Sequence, residues 1–478
     1  MIDRRSFSAT SLLAIGGLAA GAASPALART GRTPHPAKLP ALFDDIEERT
    51  FRWFWETGNP ANGLVPDSWP DPAFCSIAAV GFALTAYPVG AERGWITRAE
   101  ARARTLATLR FFDRAPQGEG SDGVSGYKGF FYHFLHMDSG LRFHDVELSS
   151  VDSTLLFLGM LFAAEYYDQD NPDEREIGRL ARAIYERADW EWFRRDKPAI
   201  SMGWYPGKGF LERGWDGYNE GMMVNLLALG SPTHPVGPDL WDAWCAPYPQ
   251  CWRGSGATRR LAFAPMFGHQ YSQMWIDFRG IRDPAMRAAG LDYFENSRRE
   301  TWAQRAYAVR NPMRWDGYGR DIWGLTASAG PADVQHDVNG VTRSFRSYSA
   351  RGPIDEPDGY DDGTIAPTAA IGSLAFAPEI VVPATLAMHR RYGDWLYGKY
   401  GFYDAFNPSF RTPEPIQRGA VDPVRGWVSQ NYLGIDQGPI LGAIANARDG
   451  FVWRVMRRSA PIRRGLQRAG FTGGWLAA

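Results

Sequence analysis

Cysteine is nearly absent from the chain, which has only Cys75, Cys245 and Cys251 among 478 residues. So small and odd a set is no disulfide framework, and no Cys/His spacing resembles a zinc site. Cys245 and Cys251, between Trp244 and Trp252, could close one small loop in an oxidising compartment, while Cys75 opens an apolar run and is expected to be buried. Net charge is scarce too, at −1 at pH 7. That excludes the broad basic surface of a nucleic-acid binder or of a protein held on anionic lipid. The basic run 454–468 reads as the solvated face of a last helix. Missing as well are a Gly-x-Ser-x-Gly elbow, a phosphate-binding loop and a dinucleotide fingerprint. His133 and His136 sit among apolar neighbours and, like His144, read as structural, so neither a metal nor a cofactor is expected.

What is present begins with an address. Arg4 and Arg5 precede a weakly apolar stretch too short for a permanent membrane span, and Ala26-Leu27-Ala28 offers a small-x-small cleavage pattern. Residues 1–28 therefore read as a twin-arginine signal peptide, with 29–40 a linker and 41–478 a single domain. The expectation is a monomer in the periplasm or outside the cell, with no stable membrane association. Aromatic residues are abundant, at 19 Trp, 20 Tyr and 27 Phe. Flat rings with a polar edge suit the C–H face of a sugar, although they also serve plain cores.

Convincing strands are few, and apolar periodicity marks helices. Segment 42–56 has one broad apolar face, 76–87 is apolar nearly all round, and 97–112 is amphipathic behind a capping box of Thr97 and Glu100. The alternation of a buried helix with an amphipathic partner recurs through 151–167 with 173–193, 220–229, 268–278 with 292–309, and 367–376 with 380–392. It ends with 437–447 and the basic terminus. Six such pairs predict an all-α fold, an (α/α)6 barrel.

Polar and aromatic residues gather just ahead of the predicted inner helices, at 143–152, 215–220, 267–272, 360–364 and 430–437. The N-terminal ends of inner helices converge at one mouth, so these clusters would line one cavity. Each acid there has an ordinary alternative as a helix cap. The aromatics beside them do not. Glu220, following Tyr218 and Asn219, is the first candidate for a general acid; Glu147 is second, with Asp145 and Asp152 nearby; Asp436 is the candidate base. Cleaving a glycosidic bond needs two carboxyls, one to protonate the leaving oxygen and one to activate water or attack carbon. Further candidates for contact with sugar are Trp215, Tyr218, His269, Gln270, Tyr271 and Asp362.

Several of these stretches resemble a known family. Glu147-Leu148-Ser149-Ser150-Val151-Asp152, Trp215-Asp216-Gly217-Tyr218-Asn219-Glu220, Phe267-Gly268-His269-Gln270-Tyr271-Ser272, Trp323-Gly324-Leu325-Thr326-Ala327 and Gly434-Ile435-Asp436-Gln437-Gly438-Pro439 are similar to the glucoamylase-like domain of bacterial β-1,2-glucanases and of cyclic β-1,2-glucan synthases. The resemblance runs over about 42–447. It implies an (α/α)6 barrel, no metal, a glucan as partner, and hydrolysis of β-1,2-glucan, endo-acting and inverting. Glu220, Glu147 and Asp436 carry over as catalytic acids and Trp323 as a substrate contact. An exo-acting or transglycosylating enzyme on another glucan, or a glucan-binding protein without turnover, are the alternatives. Two departures stand out: Gln273 replaces a His, and Ala329 an Asp, of the family pattern.

Overall fold

The structure is a computed structural model and describes residues 38–477 except 339, 413 and 414. The expected signal peptide and most of the linker lie outside the described residues. Twelve principal helices alternate between two layers. The inner layer holds α2 (Ile77–Glu92), α4 (Ser150–Tyr166), α6 (Met222–Gly230), α7 (Phe267–Trp275), α9 (Pro367–Ile371) and α11 (Gly434–Asp449). The outer layer holds α1 (Leu42–Thr57), α3 (Arg98–Arg114), α5 (Pro172–Glu186), α8 (Tyr293–Arg310), α10 (Pro378–Tyr392) and α12 (Ala460–Arg468). Helix α2 packs on α4 and α11, so the last inner helix returns to the first and closes the ring. This is the expected (α/α)6 barrel.

Sequence explains the layers. Helices α2 and α4 have almost no exposed residue, because every face is apolar or small. They meet at Gly81 and Gly159, where a Cβ on either would overlap the other helix's backbone. Outer helices bury one face only; α5, started by the Asn171 cap and Pro172, buries Ile177, Leu180, Ala181 and Ile184. The Thr97–Glu100 capping box forms as expected.

Two expectations need correction. The segment 173–193 breaks after Glu186 and resumes as Trp190–Arg194, started by an Asp189 cap. The basic terminus splits into Phe451–Met456 and α12. Its arginines are structural ties: Arg464 and Arg468 donate to the last carbonyls of α6, at Gly230 (2.6 Å) and Leu229 (3.0 Å). Cations at the negative end of a helix are favourable. Cys245 and Cys251 are both free thiols.

Short strands knit one rim of the barrel. Tyr432–Leu433, just before α11, pairs with Ser68–Trp69, and Cys75–Ser76, just before α2, pairs with Phe134–Leu135. Leu148–Ser149, just before α4, pairs with Gly203–Tyr205. The starts of α11, α2 and α4 therefore sit side by side.

Candidate active site

The caps of the inner helices decide what the acids at the rim are not. Ser76 caps α2 and Ser149 caps α4, its Oγ accepting from the Asp152 amide at 3.2 Å. Helices α6 and α11 begin at Gly221 and Leu433 with no side-chain cap. Glu147, Glu220 and Asp436 are thus not capping groups. Asp436 lies in the first turn of α11 and is 4% exposed.

Glu147 ends the loop that enters strand Leu148–Ser149. Gly203 of the paired strand gives it room, since a Cβ there would come 2.9 Å from Glu147 Cγ. Across from it stands His133, with Nδ1 2.9 Å from Glu147 Oε1 and Nε2 3.5 Å from Asp152 Oδ1. The ring stacks on Phe134 at 3.9 Å, and Asp152 also accepts from the Ser149 hydroxyl. All three titratable groups are buried. The His133–Glu147 distance is that of a hydrogen bond. His133 was read as structural in sequence; it touches two of the candidate acids.

The segment before α6 abuts this group. Trp215 Nε1 donates to Ser150 Oγ (2.8 Å), and Ser150 in turn donates to Ser201 O (2.8 Å). Glu220 is half-buried, and its carbonyl accepts from Ser272 on α7 at 3.5 Å. The structure therefore places Glu147, Asp152, Glu220 and Asp436 at the starts of inner helices along one rim. Tyr271, 7% exposed, meets Phe82 of α2 with ring centres 5.8 Å apart.

Other expected sugar contacts are framework. The stretch 267–272 lies inside α7, not ahead of it, so its side chains point into helix interfaces. His269 is fully buried, with Nε2 3.2 Å from Phe263 O, and burial pushes its pKa down to about 3, leaving it neutral. Gln270 donates to Ala369 O and Ser373 Oγ, both at 2.9 Å, tying α7 to α9 and the turn that follows it. Tyr218 is buried, its hydroxyl 3.4 Å from Ser297 Oγ. Trp215 and Trp323 are buried in the core. Asp362 is enclosed with Arg351. Asp145 lies outside, paired with Lys208 (2.5 Å), which with Arg142 holds its carboxyl low. Of these residues only Asp145 is exposed; the others are buried.

Two buried acids here were missed. The Asp67 carbonyl accepts from Gly434 at the start of α11, and Asp404 Oδ2 accepts from the Ala329 amide at 2.8 Å. Asp404 thus sits where the family pattern departs. Neither acid precedes a helix, the signal that found the others. Gln273, the second departure, donates to Tyr293 O (2.7 Å) from a buried position.

A family model, Glycoamylase (glucoamylase), matches residues 212–460. One curated relative is an exo β-1,2-glucooligosaccharide sophorohydrolase acting from the non-reducing end, from Parabacteroides distasonis. It is 27% identical over 469 residues, covering 91% of this chain, which spans only 58% of that protein's length. Among solved structures, the endo-β-1,2-glucanase of Chitinophaga pinensis, in complex with sophorotriose and glucose, superposes with a TM-score of 0.77 at 25% identity. The match covers 91% of this chain and 99% of that one. A β-1,2-glucanase of Parabacteroides distasonis gives 0.76 at 26% identity, covering 90% of this chain and 60% of that one.

Proposed function

The chain belongs to the Glycoamylase family, and from that premise we propose that it is an exported hydrolase of β-1,2-linked glucan, endo-acting. The observation that supports this reading best is the likeness to the Chitinophaga pinensis endo-glucanase, which takes in nearly the whole of both chains. The row of Glu147, Asp152, Glu220 and Asp436 along one rim supplies the chemistry. Glu220 donates a proton to the leaving glycosidic oxygen as the C1–O bond breaks. Water adds to C1 from the opposite face and gives its proton to a charged carboxylate, Glu147 or Asp436, which inverts the anomeric centre. Export through the twin-arginine route would place the enzyme in the periplasm or outside the cell, working as a monomer.

The 27% identity to a sophorohydrolase favours a second reading, exo release of a disaccharide. The test is chromatography of products from linear β-1,2-glucan. A ladder of oligosaccharides supports endo cleavage, and a single disaccharide supports the exo reading. Intact polymer overturns both.

A further inference from the structure

The hairpin that delivers Glu147 to the rim also carries a row of rings away from it. Phe134–Leu135 pairs with Cys75–Ser76 ahead of α2, and the chain then turns back toward Glu147. Backbone bonds from His136 N to Leu141 O (2.8 Å) and from Phe143 N to Phe134 O (2.9 Å) close the turn. Along this hairpin the rings touch one after another. Phe134 stacks on His133, which lies beside Glu147, and Phe74 packs against Phe134 (4.5 Å between ring centres) and Phe143 (4.8 Å). Phe143 in turn meets His144 (4.2 Å) and His136 (4.9 Å). Phe134 is buried, Phe74 and Phe143 are half-buried, and the two histidines are exposed.

These two histidines line a cavity of about 480 Å³, together with Arg142, Asp145, Ser121 and Asp122. Its size falls within the range of about 300–1,000 Å³ of small-molecule sites. Packing does not account for its lining. No hydrogen bond or ion pair engages either imidazole among the described residues. His144 also holds a φ of 50°, the left-handed region that side chains other than glycine adopt at a cost. Arg142 donates to Val146 O (2.9 Å) and to Asp145 (3.0 Å), which fixes the Asp145 carboxylate at the cavity.

We propose that this cavity is an outer subsite of the glucan chain, holding a sugar residue beyond those that flank the cleaved bond. The C–H face of the pyranose packs on the His136 and His144 rings, and its hydroxyls donate to the carboxylates of Asp122 and Asp145. The assignment rests on the reading of the rim acids as the cleaving group and of β-1,2-glucan as the substrate. Only a long chain reaches both the acids and the cavity, so the subsite makes the enzyme favour long chains over short ones.

Kinetics of His144→Gly and His136→Ala test this on linear β-1,2-glucan and on the shortest oligosaccharide the wild type cleaves. Glycine adopts the left-handed backbone at position 144 freely, and both side chains are exposed, so the fold is kept. The expected result is a rise of about tenfold in KM for the polymer in each variant, with kcat and the constants for the short substrate within about twofold of wild type. An unchanged KM for the polymer, or an equal rise on both substrates, overturns the proposal. NMR of the His136 and His144 imidazoles in Glu220→Gln gives a readout independent of turnover. Signals that shift with the polymer and not with the short oligosaccharide support the subsite, and signals that stay in place overturn it. A wild type that leaves the glucan intact while these signals shift would fail the hydrolytic reading alone.

Discussion

Arg351 grips Asp362 with two parallel hydrogen bonds, Nε to Oδ1 at 2.7 Å and Nη2 to Oδ2 at 2.8 Å, and neither side chain reaches solvent. The same guanidinium donates to the carbonyls of Ser328 (2.7 Å) and Arg346 (2.8 Å), so it pins the segment that carries Ala329. Burial alone would raise the Asp362 carboxyl, but Arg351 holds it below the ordinary range. Replacing Asp362 with Ala leaves the guanidinium buried without its counter-ion, which costs about 3–5 kcal/mol. Urea denaturation at pH 7 checks this, and a variant as stable as wild type would contradict it.

A second buried ionic group carries a pH signature. Arg260 Nε pairs with Glu300 (2.8 Å), and its other arm pairs with Glu356. One cation serves two carboxyls. Burial, and then the charge of Glu356, push the Glu300 carboxyl well above the ordinary glutamate range; burial raises Glu356 as well. A carboxyl raised in the folded state binds more protons folded than unfolded. Its stabilising contribution is therefore complete below the ordinary glutamate value of about 4.3 and is lost as pH climbs through the raised one. Glu356→Gln should gain stability relative to wild type between pH 5 and 8, in urea midpoints measured at each pH. A constant difference between the two proteins would refute the raised titration of the pair.

Layering was legible in the residues because it depends on local pattern. Helices α2 and α4 are apolar on every face and can only be inner, and Thr97 with Glu100 marks a start by hydrogen bonding alone. Partners set by the tertiary fold were not legible. Asp362 looks like a cleft acid beside Asp361 until Arg351, eleven residues earlier, closes on it. His133 sits in an apolar stretch, and only the rim strands bring it to Glu147. Helix α7 begins at Phe267, one residue from the expected start, and His269 and Gln270 face its neighbours rather than the rim, which its apolar pattern alone does not show.

The close crossing of α2 and α4 is a packing test. Gly81 and Gly159 let the two backbones touch, and each lies against the other's carbonyl region. Gly159→Ala puts a methyl group into backbone that cannot move aside without shifting a helix. An overpacked contact of this kind costs about 1–3 kcal/mol. The intrinsic preference of Ala over Gly in a helix, about 1 kcal/mol, works in the opposite direction. The steric penalty should win, lowering the thermal midpoint; a raised midpoint would show that the helices separate easily.

Glu220 immediately precedes Gly221, the N-cap of α6. It is half-buried ahead of a wholly apolar α6, on a turn where Asn219 Oδ1 accepts from the Gly221 amide at 2.8 Å. That bond shapes the turn without using the Glu220 side chain. Glu220→Gln keeps size and hydrogen-bonding capacity but has no acidic proton to give. The fold should be retained, with circular dichroism and thermal midpoint close to wild type. Turnover of linear β-1,2-glucan should fall at least about a hundredfold, the scale on which a general acid contributes. The comparison is most informative on a substrate with an activated leaving group, which departs with little protonation. There the variant should recover much of its rate if Glu220 is the acid. Equal loss on both substrates would assign Glu220 to binding or to the fold.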